Sequence, residues 1–130
     1  MSRSDFRVLL VGITATVLVS AVSLPAAHAA ASACTHHLSG PQICISTNGE
    51  GGSANPGRVT TAWTNPPANR TTATVRITEP DGFSYTIKAH RSRGQLIASV
   101  TPGRLMDDGR LCARYAGSGR TACVEIINRN

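Results

Sequence analysis

The stretch Thr71-Thr72-Ala73-Thr74-Val75-Arg76-Ile77-Thr78-Glu79-Pro80-Asp81-Gly82-Phe83-Ser84-Tyr85-Thr86-Ile87-Lys88-Ala89-His90 alternates in character on both sides of a Pro-Asp-Gly break. Alternation with period two is the signature of a half-buried β-strand, because successive side chains leave the pleated backbone on opposite faces. Pro suits the second position of a tight turn and Gly a later one, so the two runs form a hairpin. Its register follows from parity. Facing residues share a side, so Val75 opposes Ile87 and Ile77 opposes Tyr85 inside, while Arg76 opposes Thr86 and Thr74 opposes Lys88 outside. Phe83 joins Tyr85, Ile87 and Ala89 on the inward side.

The same pattern repeats on either side of this hairpin. Candidate strands are Gln42–Thr47, Arg58–Thr64, Thr71–Thr78, Phe83–His90, Gln95–Thr101, Arg110–Tyr115 and Thr121–Ile127, each rich in β-branched or aromatic residues and bounded by Gly, Pro, Asn or Asp. The sequence contains no convincing helical period. About seven antiparallel strands in one small domain predict an all-β, two-sheet sandwich. Val59, Thr61 and Trp63 share the core side, as do Ala73, Val75 and Ile77, then Leu111, Ala113 and Tyr115, then Ala122, Val124 and Ile126. Trp63 is therefore expected as a core residue and not as a platform for a sugar ring. Residues 48–57, rich in Gly, are expected as a loop.

The N-terminal segment reads as a cleavable secretory signal. Arg3 and Arg7 form a positive start, Val8–Leu24 is an apolar run broken by Gly12, Thr14, Thr16 and Ser20, and Ala27-His28-Ala29 is a small-x-small cleavage pattern after Pro25. A bilayer-spanning helix needs about 20 predominantly apolar residues, so no membrane span is expected once residues 1–29 are removed. Residues 30–130 then form a single domain. The two arginines are not adjacent, which disfavours the twin-Arg route.

All four cysteines, Cys34, Cys44, Cys112 and Cys123, lie beyond the signal, and an even count in an oxidising compartment predicts two disulfides. Their spacing lacks the short C-x2-C knuckle of a zinc site. Cys112 shares a side with Arg114, Cys123 with Glu125, and Cys44 lies between Gln42 and Ser46, so three sulfurs face outward. A hairpin turning at Ala116-Gly117-Ser118-Gly119 sets Cys112 across from Cys123. That pairing is expected, which leaves Cys34 with Cys44.

Arginine outnumbers lysine 12 to 1, and Ala, Thr and Gly are abundant, a bias that resembles high-GC bacterial genomes. The Ala-rich leader resembles those of secreted actinobacterial proteins. Trp63 with Thr64-Asn65-Pro66-Pro67 is similar to the second strand of fibronectin type III domains, and Val100-Thr101-Pro102-Gly103 resembles their approach to the sixth strand. The likeness covers about residues 58–127. The tyrosine of that family shortly after the Pro-Gly pair is absent here, Leu105 standing nearest. The resemblance implies an immunoglobulin-like sandwich with a binding or spacer role.

The formal charge is +6, and losing Arg3, Arg7 and Asp5 with the leader makes it +5. A basic surface favours an anionic partner. Arg76, Lys88, His90, Arg91 and Arg93 form the densest cationic group and are the candidate ligand-binding residues, suited to phosphate, sulfate or carboxylate groups of a polymer. No nucleophile stands beside a base: His36, His37 and His90 lie outside any nucleophile motif, and the carboxylates fall mostly at turns. Asp107-Asp108-Gly109 reads as a turn and not as a calcium loop. His36-His37 reads as a solvated pair. Asn69-Arg70-Thr71 matches a glycosylation sequon, expected unmodified in a bacterial protein. The expectation is a secreted, extracellular, non-enzymatic binding module without cofactor or metal, whose partner is an anionic cell-envelope polymer or an extracellular protein and not a specific nucleic acid. Alternatives are an inhibitor of extracellular proteases, presenting Gly49–Gly57 or Asn65–Arg70, and a small toxin or antimicrobial factor.

Overall fold

Short alternating segments become strands in the computed structural model, which describes residues 31–35, 41–49 and 55–127. The signal at 1–29 and the His36-His37 pair lie outside the described residues. Eight strands follow one another: β1 (Ser32–Cys34), β2 (Ile43–Thr47), β3 (Val59–Trp63), β4 (Thr72–Thr78), β5 (Ser84–Ser92), β6 (Gln95–Val100), β7 (Gly109–Tyr115) and β8 (Thr121–Ile126). The fold is all-β. The predicted strands recur to within two residues at each end, and β1 is additional.

The expected seven-stranded pair of sheets is replaced by one eight-stranded sheet in the order β1-β2-β3-β6-β5-β4-β7-β8, with every neighbouring pair antiparallel. This sheet curls until β8 comes back against β1 and β2, giving a nearly closed barrel. The difference has a simple cause. A sandwich and a curled sheet both turn alternate residues toward a shared interior, so alternation alone does not distinguish them. Strands β4, β5 and β6 form a meander and β7 returns beside β4, which is a Greek-key arrangement.

The β4–β5 hairpin has the parity-predicted register, with Val75 opposite Ile87, Ile77 opposite Tyr85, Arg76 opposite Thr86 and Thr74 opposite Lys88. Its turn is closed by Gly82 N–H donating to the Glu79 carbonyl (2.9 Å) and Glu79 N–H donating to the Phe83 carbonyl (2.8 Å). Phe83 departs from expectation. It is 51% exposed, because it precedes β5 and its N–H is held by the Asp81 carboxylate within the turn (2.8 Å). Strand β5 also runs two residues further than predicted and joins β6 through Arg93 and Gly94, both at positive φ (50° and 78°), as a tight two-residue hairpin demands.

Both disulfides form as expected, Cys34–Cys44 and Cys112–Cys123, each between directly opposed residues on the outward face. They join β1 to β2 and β7 to β8, the two end pairs of the sheet. End strands have a hydrogen-bonded neighbour on one side only, so the covalent links sit where pairing is weakest. Each short loop contributes about 2–3 kcal/mol by restricting the unfolded chain.

The interior is filled by Ile43, Ile45, Val59, Trp63, Val75, Ile77, Leu96, Leu111, Tyr115, Val124 and smaller residues around them. Tyr115 crosses it. Its hydroxyl donates to the Leu96 carbonyl on β6 (3.0 Å) and pairs with the Thr61 hydroxyl on β3 (3.0 Å), while its ring meets Trp63 edge-on at 5.8 Å.

Replacing Tyr115 with Phe removes the bond to the Leu96 carbonyl and leaves the Thr61 hydroxyl only its long contact with the Ala98 carbonyl (3.5 Å), and is expected to cost about 1–3 kcal/mol, read as a lower urea midpoint. Burial raises the Tyr115 phenol's pKa, with the Thr61 hydroxyl opposing. The fold thus prefers the neutral phenol. Its contribution is complete below the unfolded value of about 10 and is lost as pH rises through the elevated folded value. Alkaline loss of stability should be shallower in Tyr115→Phe than in wild type; equal pH slopes would contradict this account.

Candidate anion-binding face

Strand β4 turns Thr72, Thr74, Arg76 and Thr78 outward, and β5 turns Ser84, Thr86, Lys88 and His90 the same way, since these residues alternate with the inward Val75, Ile77 and Ala89. The hairpin register sets His90 beside Thr72 and Lys88 beside Thr74. On the other flank of β4 lies β7, whose register places Arg114 directly opposite Arg76 and Cys112 opposite Thr78. Strand β8 adds Thr121 beside Arg114. The result is a row of Thr86, Arg76, Arg114 and Thr121 across four strands.

Directly opposed residues on one face hold their Cβ atoms about 4.5–5.5 Å apart, and like charges there repel. Among the described residues the ion pair is Arg104–Glu79, so neither Arg76 nor Arg114 has a carboxylate partner. In register the outward Glu125 faces Arg110, four residues along β7 from Arg114 and therefore about 13 Å away. Two shallow depressions flank the arginine pair. One, of about 390 Å³, is lined by Thr74, Arg76, Thr86, Arg114 and the Ala116–Ser118 turn. The other, of about 250 Å³, is lined by Arg76, Thr78, Cys112, Arg114 and Thr121. Two guanidinium forks with uncommitted N–H donors, bordered by threonine hydroxyls, suit an oxyanion gripped from both sides.

Of the five cationic residues singled out from the sequence, Arg76, Lys88 and His90 lie on this face, and Arg93 caps the β5–β6 turn beyond it. Arg91 is placed otherwise. It continues the inward parity of Tyr85, Ile87 and Ala89, and its guanidinium donates to the backbone carbonyls of Arg70 (2.9 Å), Pro67 (2.6 Å) and Gly94 (3.4 Å). It therefore fastens the 64–71 loop over one end of the barrel. Arg70 completes that end, lying 5.2 Å over the Trp63 ring and donating to the Ala116 carbonyl (2.7 Å). Trp63 is buried beneath it. Arg114 was not among the predicted site residues. The signal for it existed, since it shares the outward side with Cys112, but its neighbour Arg76 comes from a pairing 38 positions distant in sequence.

Asp107 and Asp108 are exposed ahead of β7, and among the described residues no three His, Cys, Asp or Glu side chains converge on a metal-sized space. No helix among the described residues is long and apolar enough to cross a membrane. No known family model matches the chain, and neither a curated protein nor a solved structure shows significant similarity to it.

Removing one member of the like-charged pair should relieve repulsion. Arg114→Thr is expected to gain about 0.2–1 kcal/mol at low ionic strength, with the gain fading as salt screens the pair. Thermal melts at two salt concentrations check this, and a loss of stability at low salt would mean that the two guanidinium groups do not repel.

Proposed function

We propose that this chain is a secreted, non-catalytic binding module whose β4–β5–β7 face grips an anionic polymer of the cell envelope or an acidic extracellular protein. The observation that carries this reading is the Arg76–Arg114 pair, two opposed cations with no carboxylate partner among the described residues. Such a pair raises the free energy of the folded protein, and an oxyanion between the forks removes that cost. Lys88 and His90 extend the cationic surface along β5, and the outward threonines add neutral donors without competing charge. Export through the leader at 1–29 fits the two disulfides, which persist in oxidising compartments.

Inhibition of an extracellular protease is a second reading, favoured by the 64–71 loop. Arg91 ties two of its carbonyls, Pro66 is buried, and Pro67, Ala68 and Asn69 project into solvent. A loop held in one conformation loses little entropy on entering an active site.

Retention of the oxidised protein on producer cell-wall material should fall steeply with salt, and Arg76→Ala/Lys88→Ala/Arg114→Ala should abolish it while leaving the protein at least as stable as wild type. Equal retention of the triple variant would defeat the basic-face reading. Inhibition of a protease panel that survives the triple variant but is lost on changing Ala68 and Asn69 would establish the loop instead.

A further inference from the structure

The barrel has a second mouth, at the end opposite Arg91, and its chemistry is different. Glu79 and Tyr85 continue the inward parity of β4 and β5, Val100 ends β6 on the same side, and Pro102 and Arg104 reach in from the β6–β7 loop. With Phe83 they line an open depression of about 360 Å³. Glu79 is 3% exposed and is the one buried charged side chain among the described residues. A turn residue before proline carries no sequence signal for such burial.

One carboxylate oxygen of Glu79 accepts a hydrogen bond from the Arg104 guanidinium, which also lies 4.2 Å over the Phe83 ring. The other, Oε1, is buried without a hydrogen-bond partner, and so is the Tyr85 hydroxyl. Burial raises the Tyr85 pKa most, the Glu79 charge raises it further, Arg104 opposes, and hydrogen bonding toward the Glu79 carboxylate adds to the rise. Carboxylate and phenol are thus near neighbours, at the margin of a hydrogen bond to each other. A marginal contact between two buried polar atoms costs free energy that well-placed hydroxyls from outside would recover.

We propose that this mouth is a binding subsite for a neutral sugar ring. Glu79 and Arg104 cancel each other's charge, so neither an anion nor a cation gains from the site as a whole. The walls of Val100, Pro102 and the rings of Phe83 and Tyr85 favour C–H surface, while Glu79 Oε1, the Tyr85 hydroxyl and the spare N–H groups of Arg104 call for hydroxyls at its rim. A pyranose presents C–H faces and a rim of hydroxyls. The entry is through Arg104, whose side chain is 42% exposed on a loop with Gly103 at φ 68° and must shift to admit a hydroxyl to Oε1. This mouth is independent of the outward arginine pair, so either site stands without the other.

The test is an NMR titration of the oxidised protein with the neutral trisaccharides maltotriose and tri-N-acetylchitotriose, beside a proline-rich peptide. Saturable shifts confined to residues 79–85 and 100–104 are expected with at least one sugar, with a dissociation constant on the order of 1 mM. Phe83→Ala, a change at an exposed ring that leaves the core intact, should weaken binding about tenfold, and Arg76→Ala/Arg114→Ala should leave it unchanged. Three results would overturn the proposal: no saturation by either sugar up to about 50 mM, undiminished binding by Phe83→Ala, or saturation by the peptide alone, which would make the mouth a peptide-docking surface.

Discussion

The pleat of a single curled antiparallel sheet assigns nearly every side chain its task. Residues of one parity meet inside and must be apolar or satisfied; those of the other parity meet water and are free to act on it. Tyr115 shows how strict the inner requirement is. Its ring provides bulk to fill the interior, yet its hydroxyl is tolerated there because β3 offers Thr61 and β6 offers a carbonyl at bonding distance. One side chain from β7 thereby ties together strands that are not its neighbours in the sheet.

A curled sheet has two ends, and inward parity continues through them. At each end an arginine meets the interior where depth is running out, Arg91 from an inward position at the end of β5 and Arg104 from the β6–β7 loop. Arg91 resolves this by giving its N–H groups to loop carbonyls, and Arg104 by pairing with a buried carboxylate and stacking on Phe83. The two solutions differ in what they leave over. Arg91 meets backbone acceptors that need no further partner, whereas the Glu79–Arg104 pair leaves an acceptor oxygen and a phenol only marginally matched to each other. The first end is a closed structural joint and the second has the composition of a recognition site.

The outer face follows a different logic. Threonines dominate it, and β-branched side chains hold the strands extended without bringing charge. Against that neutral ground the opposed Arg76 and Arg114 stand out, because cross-strand pairs of like charge weaken a sheet and nothing on β4, β5, β7 or β8 neutralises them within one residue pair. The Cys112–Cys123 link one row away holds β7 and β8 together beside this repulsion.

The amino-acid sequence by itself determined seven of the eight described strands, the side most of their residues face (Phe83 is the exception), the β4–β5 register and both disulfides. These depend on neighbours close along the chain: period-two alternation, a Pro-Asp-Gly turn, and a short hairpin that sets Cys112 against Cys123. Tertiary structure alone decided that the strands form one curled sheet and not two stacked ones, since alternation is identical in both. It also decided which distant strands adjoin. Placing β7 beside β4 brought Arg114 to Arg76, the 64–71 loop drew Arg91 out of the predicted cationic cluster, and the β6–β7 loop buried Glu79 under Arg104. Local pattern cannot encode those meetings, because each is set by packing between segments whose separation along the chain leaves no mark on either one.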